Sequence, residues 1–111
     1  MPTVPDASPF IALGKIERVE LLPQLYGRVM VAPQVWEEAV TAGRATGAAD
    51  AAYLEKAAAE LRFVRVRLTP AEKTLAQRLT DRGCGSGEAQ VLAVAKGRKA
   101  LAILDDKAAR A

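Results

Sequence analysis

Four acidic residues that lie far apart in the sequence fall where their side chains could share one cleft. Asp6 follows a short apolar segment near the start of the chain, and Asp106, with Asp105 beside it, follows another near the end. Glu37 and Glu88 each fall in the first turn of a predicted helix. Ligands of open α/β sheets bind beyond the carboxyl ends of the strands, so we expect these acids to converge there.

Clustered carboxylates repel one another and become partly protonated unless a cation offsets the repulsion. Mg²⁺ uses few protein carboxylates and keeps several waters, which leaves coordination positions for a phosphate and a nucleophile. A bound ion can lower the pKa of water, and two ions ~3.5–4 Å apart can hold the attacking and leaving oxygens. The pattern therefore predicts a Mg²⁺ or Mn²⁺ site suited to phosphodiester hydrolysis.

Each acid also has a purely structural explanation. Asp6 could be a turn or N-cap residue, and Glu37 and Glu88 could complement the dipoles of their helices. Asp105 and Asp106 could be solvated residues at the start of a helix. Only the joint placement of these acids at strand ends and first helical turns favours a shared site.

The composition excludes several kinds of chemistry. There is no histidine and Cys84 is the only cysteine, which excludes Ser-His and Cys-His catalysis, histidine-ligated zinc and an intrachain disulfide. The net charge of +3 permits binding to a phosphate backbone without requiring it. No apolar run approaches the ~20 residues of a membrane span, and no secretory signal is recognisable. We therefore expect a cytoplasmic protein that does not contact a membrane.

The elements that must position the acids follow from periodicity and turn signals. Strands are predicted at residues 3–4, 29–31, 63–66 and 101–104, although Pro5 is awkward at a strand end because it cannot donate to the ladder. Helical segments alternate with these strands, which indicates an α/β fold with a mostly parallel sheet. The 111 residues fit one domain, residues 1–111.

Helix boundaries are predicted from capping residues. Ser8 and Ser86 are expected to cap helices, and Thr69 with Glu72 forms a capping-box pattern that starts a helix running to about Asp81. Gly97 is expected to end the helix that Ser86 starts. Residues 41–50 are expected to form a flexible loop, followed by a helix over residues 50–61.

Basic and aromatic residues offer weaker signals. Arg62, Arg65 and Arg67 alternate along the third strand and could contact phosphates, but a solvated strand face is the favoured explanation. Trp36 could stack on a base, but a position in the core is favoured. Lys15 could approach a scissile phosphate, and a simple surface position is the favoured alternative.

Four segments spread over nearly the whole chain carry a family resemblance. They are Asp6-Ala7-Ser8-Pro9-Phe10-Ile11, Val31-Ala32-Pro33-Gln34-Val35-Trp36-Glu37, Gly85-Ser86-Gly87-Glu88-Ala89 and Ile103-Leu104-Asp105-Asp106-Lys107-Ala108-Ala109-Arg110. They resemble the PIN-domain superfamily, and in particular the prokaryotic PIN-like nucleases whose chains begin with Asp-Ala/Thr-Ser-Pro-Leu-Ile. The resemblance implies a three-layer α/β/α fold with a mostly parallel central sheet.

The resemblance also implies a function and a set of site residues. It implies a Mg²⁺- or Mn²⁺-dependent ribonuclease, commonly a dimeric toxin that a small antitoxin protein inhibits. The catalytic and metal-binding acids fall on the positions already singled out: Asp6, Glu37, Glu88 and Asp106, with Asp105 as a further metal ligand. Ser8 matches a small hydroxyl residue that supports the first Asp, and we assign Lys15 and Arg110 to RNA binding.

Two departures from the family pattern support a different function. Gln90 stands where this branch often has a second Glu, and relatives usually continue for a further strand and helix, which predicts a C-terminally short domain. The alternative is therefore a catalytically impaired module that binds a partner protein or RNA. A doubly wound nucleotide-binding domain is disfavoured because no Gly-x-Gly-x-x-Gly turn follows the first strand.

Overall fold

Short parallel strands form the centre of the computed structural model, which describes residues 1–104. They are β1 (Thr3–Pro5), β2 (Met30–Val31), β3 (Val64–Arg65) and β4 (Leu101–Ile103). β1 pairs with β4, and β2 pairs with β3, both in parallel. A single bridge between Thr3 and Val29 joins the two pairs, so the strands follow the order β4-β1-β2-β3 and all their carboxyl ends lie at one edge.

Pro5 explains why β1 and β2 share only one bridge. Backbone N–H groups of a strand point alternately to its two neighbours. The N–H of Thr3 donates to Arg28 on the β2 side, and the N–H of Asp6 donates to Ile103 on the β4 side. Position 5 therefore faces β2, where proline has no N–H to give. Pro5 therefore remains part of β1, and its missing N–H falls on the side that faces β2, where the backbone pairing stops.

Eight helical segments surround the strands in residues 1–104. They are α1 (Ala7–Lys15), α2 (Leu21–Tyr26), α3 (Pro33–Trp36), a π-helical turn (Glu37–Thr41), α4 (Ala42–Ala45), α5 (Ala49–Glu60), α6 (Pro70–Asp81) and α7 (Ser86–Arg98). The segments α3, π turn and α4 follow one another without a break. None of the helices in this part of the chain is long and apolar enough to cross a membrane.

The helices pack in two groups on the strands. α5 contacts α1, α4 and the π turn, while α6 and α7 form a hairpin whose α7 also contacts α3, β1 and β4. Phe10, Val35, Leu54 and Val91 are among the fully buried side chains of the core. The predicted α/β class with a parallel sheet is confirmed.

Two predicted caps are wrong because a neighbouring residue takes each place. Asp6 caps α1, since its Oδ1 accepts a hydrogen bond from the N–H of Ala7, and Ser8 is the second helical residue. Gly85 is the N-cap of α7, and Ser86 is its first residue. The capping box of Thr69 and the end of its helix at Asp81 are confirmed.

Two further boundaries differ from the prediction. Residues 41–50 do not form a loop, because the helix that begins at Pro33 continues through the π turn to Ala45 and α5 already starts at Ala49. Gly97 does not end α7. The helix runs to Arg98, and Lys99 ends it in the left-handed conformation with φ 53°.

Candidate active site

Asp6 lies at the carboxyl edge of the strands, between β1 and α1. Its N–H donates to the carbonyl of Ile103 at 2.8 Å, which places it beside the end of β4. Its Oδ1 accepts from the N–H of Ala7 at 2.8 Å, so the capping role that the sequence allowed is real. The residue is half-buried, and the cap uses one carboxylate oxygen while it fixes the direction of the side chain.

A polar contact between α3 and α7 forms the second part of the site. The N–H of Gln34, in the first turn of α3, donates to Oε1 of Gln90 at 2.8 Å. This hydrogen bond satisfies a helix N–H that has no acceptor within its own helix. The side-chain amide of Gln34 donates to Oε1 of Glu38 at 3.2 Å. Residues four apart share a helix face, so Gln34 and Glu38 lie on the face of this helix that meets α7.

The carboxylate of Glu38 lies over Gly87 in the first turn of α7. A Cβ atom at Gly87 would be 3.1 Å from Oε1 of Glu38 and 3.4 Å from Oε2. That distance is tighter than ordinary van der Waals contact, so the absence of a side chain at Gly87 allows the close approach. Glu88 is the next residue and is half-buried. The structure therefore brings a glutamate of the π turn to Gly87 in the first turn of α7, the turn that also carries Glu88.

Glu38 lies near α7 and was not singled out in the sequence analysis, which assigned Glu37 to the site. Both glutamates are exposed, and Glu37 begins the π turn. The signal that favours Glu38 was present in the sequence: it lies four residues after Gln34, whereas Glu37 lies four residues after Pro33. What the sequence did not show was that the face bearing Gln34 packs against α7.

The described acids provide only oxygen ligands. Within residues 1–104, no three Asp, Glu or Cys side chains lie close enough together to hold a metal ion. Asp6, Glu38 and Glu88 are nevertheless hard, anionic oxygen donors, which suit Mg²⁺ or Mn²⁺ and fit a soft cation poorly. Asp105 and Asp106 lie outside the described residues, as does Arg110.

The two supporting residues on α1 occupy different positions. Ser8 is exposed, two residues after Asp6 in the first turn. Lys15 is the last residue of α1, so it lies about 12 Å along the helix axis from the end that Asp6 caps. It lines a separate pocket with Glu17, Asp50 and Tyr53. The structure therefore does not bring Lys15 to the acids.

A buried ion pair fixes the far end of α7. The carboxylate of Glu72 is 4% exposed and accepts hydrogen bonds from Nε of Arg98 at 2.9 Å and from Nη2 at 3.0 Å. The Nη2 atom of Arg98 also donates to the carbonyl of Arg67 at 2.7 Å. These hydrogen bonds from Arg98 lower the pKa of Glu72, and the same pair raises the pKa of Arg98. Both side chains therefore stay charged at neutral pH and hold α7 against α6 and the segment after β3.

Asp6 lies at the carboxyl edge of a parallel α/β sheet, which is where proteins of this fold class bind their ligands. The chain belongs to the PIN-domain family: a family model described as a PIN domain matches residues 2–111. No curated protein and no solved structure matches the chain. Because PIN domains are generally hydrolytic nucleases that use divalent metals, the family agrees with the chemistry of the described acids.

Proposed function

We propose that this protein is a metal-dependent endoribonuclease that hydrolyses phosphodiester bonds of RNA at the carboxyl edge of its sheet. One observation carries the proposal: Glu38 meets Gly87 in the first turn of α7, the turn that also carries Glu88, and α7 packs on β1, the strand that ends at Asp6. Acids from three distant parts of the sequence thus approach the same edge. Asp105 and Asp106 complete the proposed set, because they follow β4, the strand beside Asp6.

Two of the described acids are oriented by hydrogen bonds. Asp6 accepts from the N–H of Ala7, and Glu38 accepts from the side-chain amide of Gln34. Each of these hydrogen bonds uses one oxygen of the carboxylate. Bound Mg²⁺ or Mn²⁺ supplies a water of lowered pKa and neutralises charge on the scissile phosphate.

The family supports a further part of the proposal. PIN-domain nucleases are commonly toxins of toxin–antitoxin pairs, so we extend the proposal to a dimeric, cytoplasmic toxin that a small antitoxin protein inhibits. The positive net charge of +3 agrees with an RNA substrate.

Two adjacent glutamates provide the sharpest test. Glu38→Gln should lower Mn²⁺-dependent cleavage of a labelled RNA by at least ~100-fold, since electrostatic groups at a reaction centre are worth about that much. Glu37→Gln removes the same charge one residue away and should cost far less. Asp6→Asn should abolish cleavage, and circular dichroism should show that all three variants fold. An Asp6→Asn protein as active as its parent would refute the assignment, and a loss confined to Glu37→Gln would identify Glu37, not Glu38, as the ligand.

A second candidate function is an impaired PIN module that binds a partner protein or RNA without cleaving it. Gln90 favours it, because its side chain accepts a structural hydrogen bond from the N–H of Gln34 at a position where relatives often have an acid. Thermal unfolding with and without Mn²⁺, and RNA cleavage with a chelator control, separate the two. No stabilisation by Mn²⁺ together with no cleavage would establish the impaired module.

A further inference from the structure

Two arginines line a cleft at the edge of the sheet where the acids lie. Arg65 is the last residue of β3, Arg67 follows two residues later, and both side chains are exposed. Together with Pro33 and Trp36 they border a cleft of about 360 Å³, with Val31 and Val66 at its base. We refer to this feature as the arginine cleft. Its location puts two positive charges beside the helix that carries Glu38.

Arg65 is held in place by an aromatic ring. The Cζ atom of its guanidinium lies 4.1 Å from the centroid of the Trp36 ring, within the range of a cation–π contact. Trp36 is 8% exposed and belongs to the core, as predicted. The Cζ atom lies over the ring, so N–H groups of the guanidinium stay available to the oxygens of an anion. The guanidinium covers one face of the Trp36 ring, so a base could not stack there.

The charge of the arginine cleft has no counterpart in the described chain. The salt bridges within residues 1–104 involve Arg18, Arg44, Lys56 and Arg98, and neither Arg65 nor Arg67 takes part in one. Arg98 shows the contrast, since Glu72 neutralises it. Arg65 is held in place by Trp36, and neither Arg65 nor Arg67 has a carboxylate partner in this part of the chain. The two guanidinium groups therefore suit an anion that comes from another molecule.

We propose that the arginine cleft binds phosphates of single-stranded RNA next to the bond that is cut. This inference rests on the proposed function, because the occupant is the substrate of the neighbouring acids. The cleft lies at the carboxyl ends of β2 and β3, and β2 neighbours β1, which ends at Asp6. A strand bound along this edge of the sheet therefore reaches both the cleft and Asp6. The volume admits one phosphate and ribose rather than a duplex. Contacts to phosphates position a substrate without reading its sequence.

Binding can be measured without cleavage. Fluorescence anisotropy of a labelled 12-nucleotide oligouridine, in excess EDTA and over a range of salt concentrations, reports affinity on uncut RNA. The double variant Arg65→Gln/Arg67→Gln should reduce the slope of log K against log salt by about 1.4, since each phosphate contact on a single strand contributes about 0.7. If the two proteins bind equally in 1 M salt, this difference in slope makes the double variant bind roughly 25-fold more weakly than the parent in 0.1 M salt.

A matched control removes the same charge from the opposite edge of the sheet. Arg28 precedes β2 and Lys99 precedes β4, and both are exposed. Arg28→Gln/Lys99→Gln should change the slope by less than half as much, and thermal unfolding should show that both double variants are folded. Since the assay contains no free metal, it gives an answer whether or not the protein cleaves RNA.

Three outcomes would overturn the proposal. The first is no measurable binding of the RNA by the parent protein. The second is an equal loss in both double variants, which would mean a diffuse effect of net charge. The third is a polyglutamate peptide of equal charge that binds the parent as tightly as the RNA and loses affinity in Arg65→Gln/Arg67→Gln, which would identify an acidic protein as the occupant.

Discussion

Replacing Arg98 by methionine should destabilise the protein through a charge that is left buried on Glu72. Methionine keeps the aliphatic stem of Arg98 but removes the guanidinium and its three hydrogen bonds. Breaking a fully buried ion pair costs about 3–5 kcal/mol. Since 30% of the Arg98 side chain is exposed, we expect the lower end, about 3 kcal/mol. That loss corresponds to a fall in Tm of roughly 10–15 °C for a domain of this size.

Two other variants distinguish the effect of an unpaired buried charge on Glu72 from the effect of lost packing around Arg98. Glu72→Gln keeps an acceptor for the capping box, because glutamine serves at this position as well as glutamate. The double variant Glu72→Gln/Arg98→Met should therefore be more stable than Arg98→Met alone by about 2 kcal/mol. Arg44→Met breaks the exposed pair with Glu55 and should cost less than about 1 kcal/mol. Urea unfolding monitored by circular dichroism gives all of these free energies.

The pair also makes a prediction about pH. The pKa of Glu72 in the folded protein is lowered, with the hydrogen bond from Arg98 as the largest cause. Its contribution to stability is therefore present above the unfolded-state value of about 4.5 and is lost as the pH falls through the lower folded-state pKa. The parent should lose more stability than Glu72→Gln below pH 4.5. Equal acid sensitivity of the two proteins, or a cost of Arg98→Met below about 1 kcal/mol, would refute the reasoning.

Two glycines should respond to alanine in opposite ways. A Cβ at Gly14 would lie 2.8 Å from Cγ of the fully buried Leu54. Gly14→Ala should therefore destabilise the protein by about 1–3 kcal/mol through overpacking, which a shift in the urea midpoint measures. An unchanged midpoint would show that Leu54 repacks freely. The nearest atoms to a Cβ at Gly87 belong to the exposed Glu38. Gly87→Ala should therefore leave stability unchanged or raise it by up to about 1 kcal/mol. The added methyl group should displace the Glu38 carboxylate and lower Mn²⁺-dependent cleavage. Undiminished cleavage by a folded Gly87→Ala protein would contradict the position given to Glu38.

Local signals predicted the elements whose causes are local. The capping box of Thr69 and Glu72 starts α6, and its last residue, Asp81, was also predicted. The hydrogen bonds that define this helix start lie within four consecutive residues, so the sequence contains all the information that is needed. The sequence did not indicate the second role of Glu72, because its partner Arg98 lies 26 residues away.

The errors arose where tertiary packing decides the outcome. The Ala- and Gly-rich stretch at residues 41–50 carries weak local preferences, and packing of α4 and the π turn against α5 makes most of it helical. Gly43 illustrates this, because a Cβ there would lie 2.8 Å from Cβ of Ala51. Its glycine permits a close helix contact rather than a flexible connection. Composition alone could not distinguish these two uses of a small residue.

The choice between Glu37 and Glu38 shows how far a motif can locate a site. Motif spacing identifies the helix that carries an acid, but the face that meets α7 depends on where that helix packs. Gln34 contacts Gln90, and Glu38 contacts Gly87. The two contacts are four residues apart on the helix that begins at Pro33 and three residues apart on α7. Such spacings match neighbouring positions on a helix surface. The two contacts therefore support each other and place Glu38, rather than Glu37, on the side of the helix that meets α7.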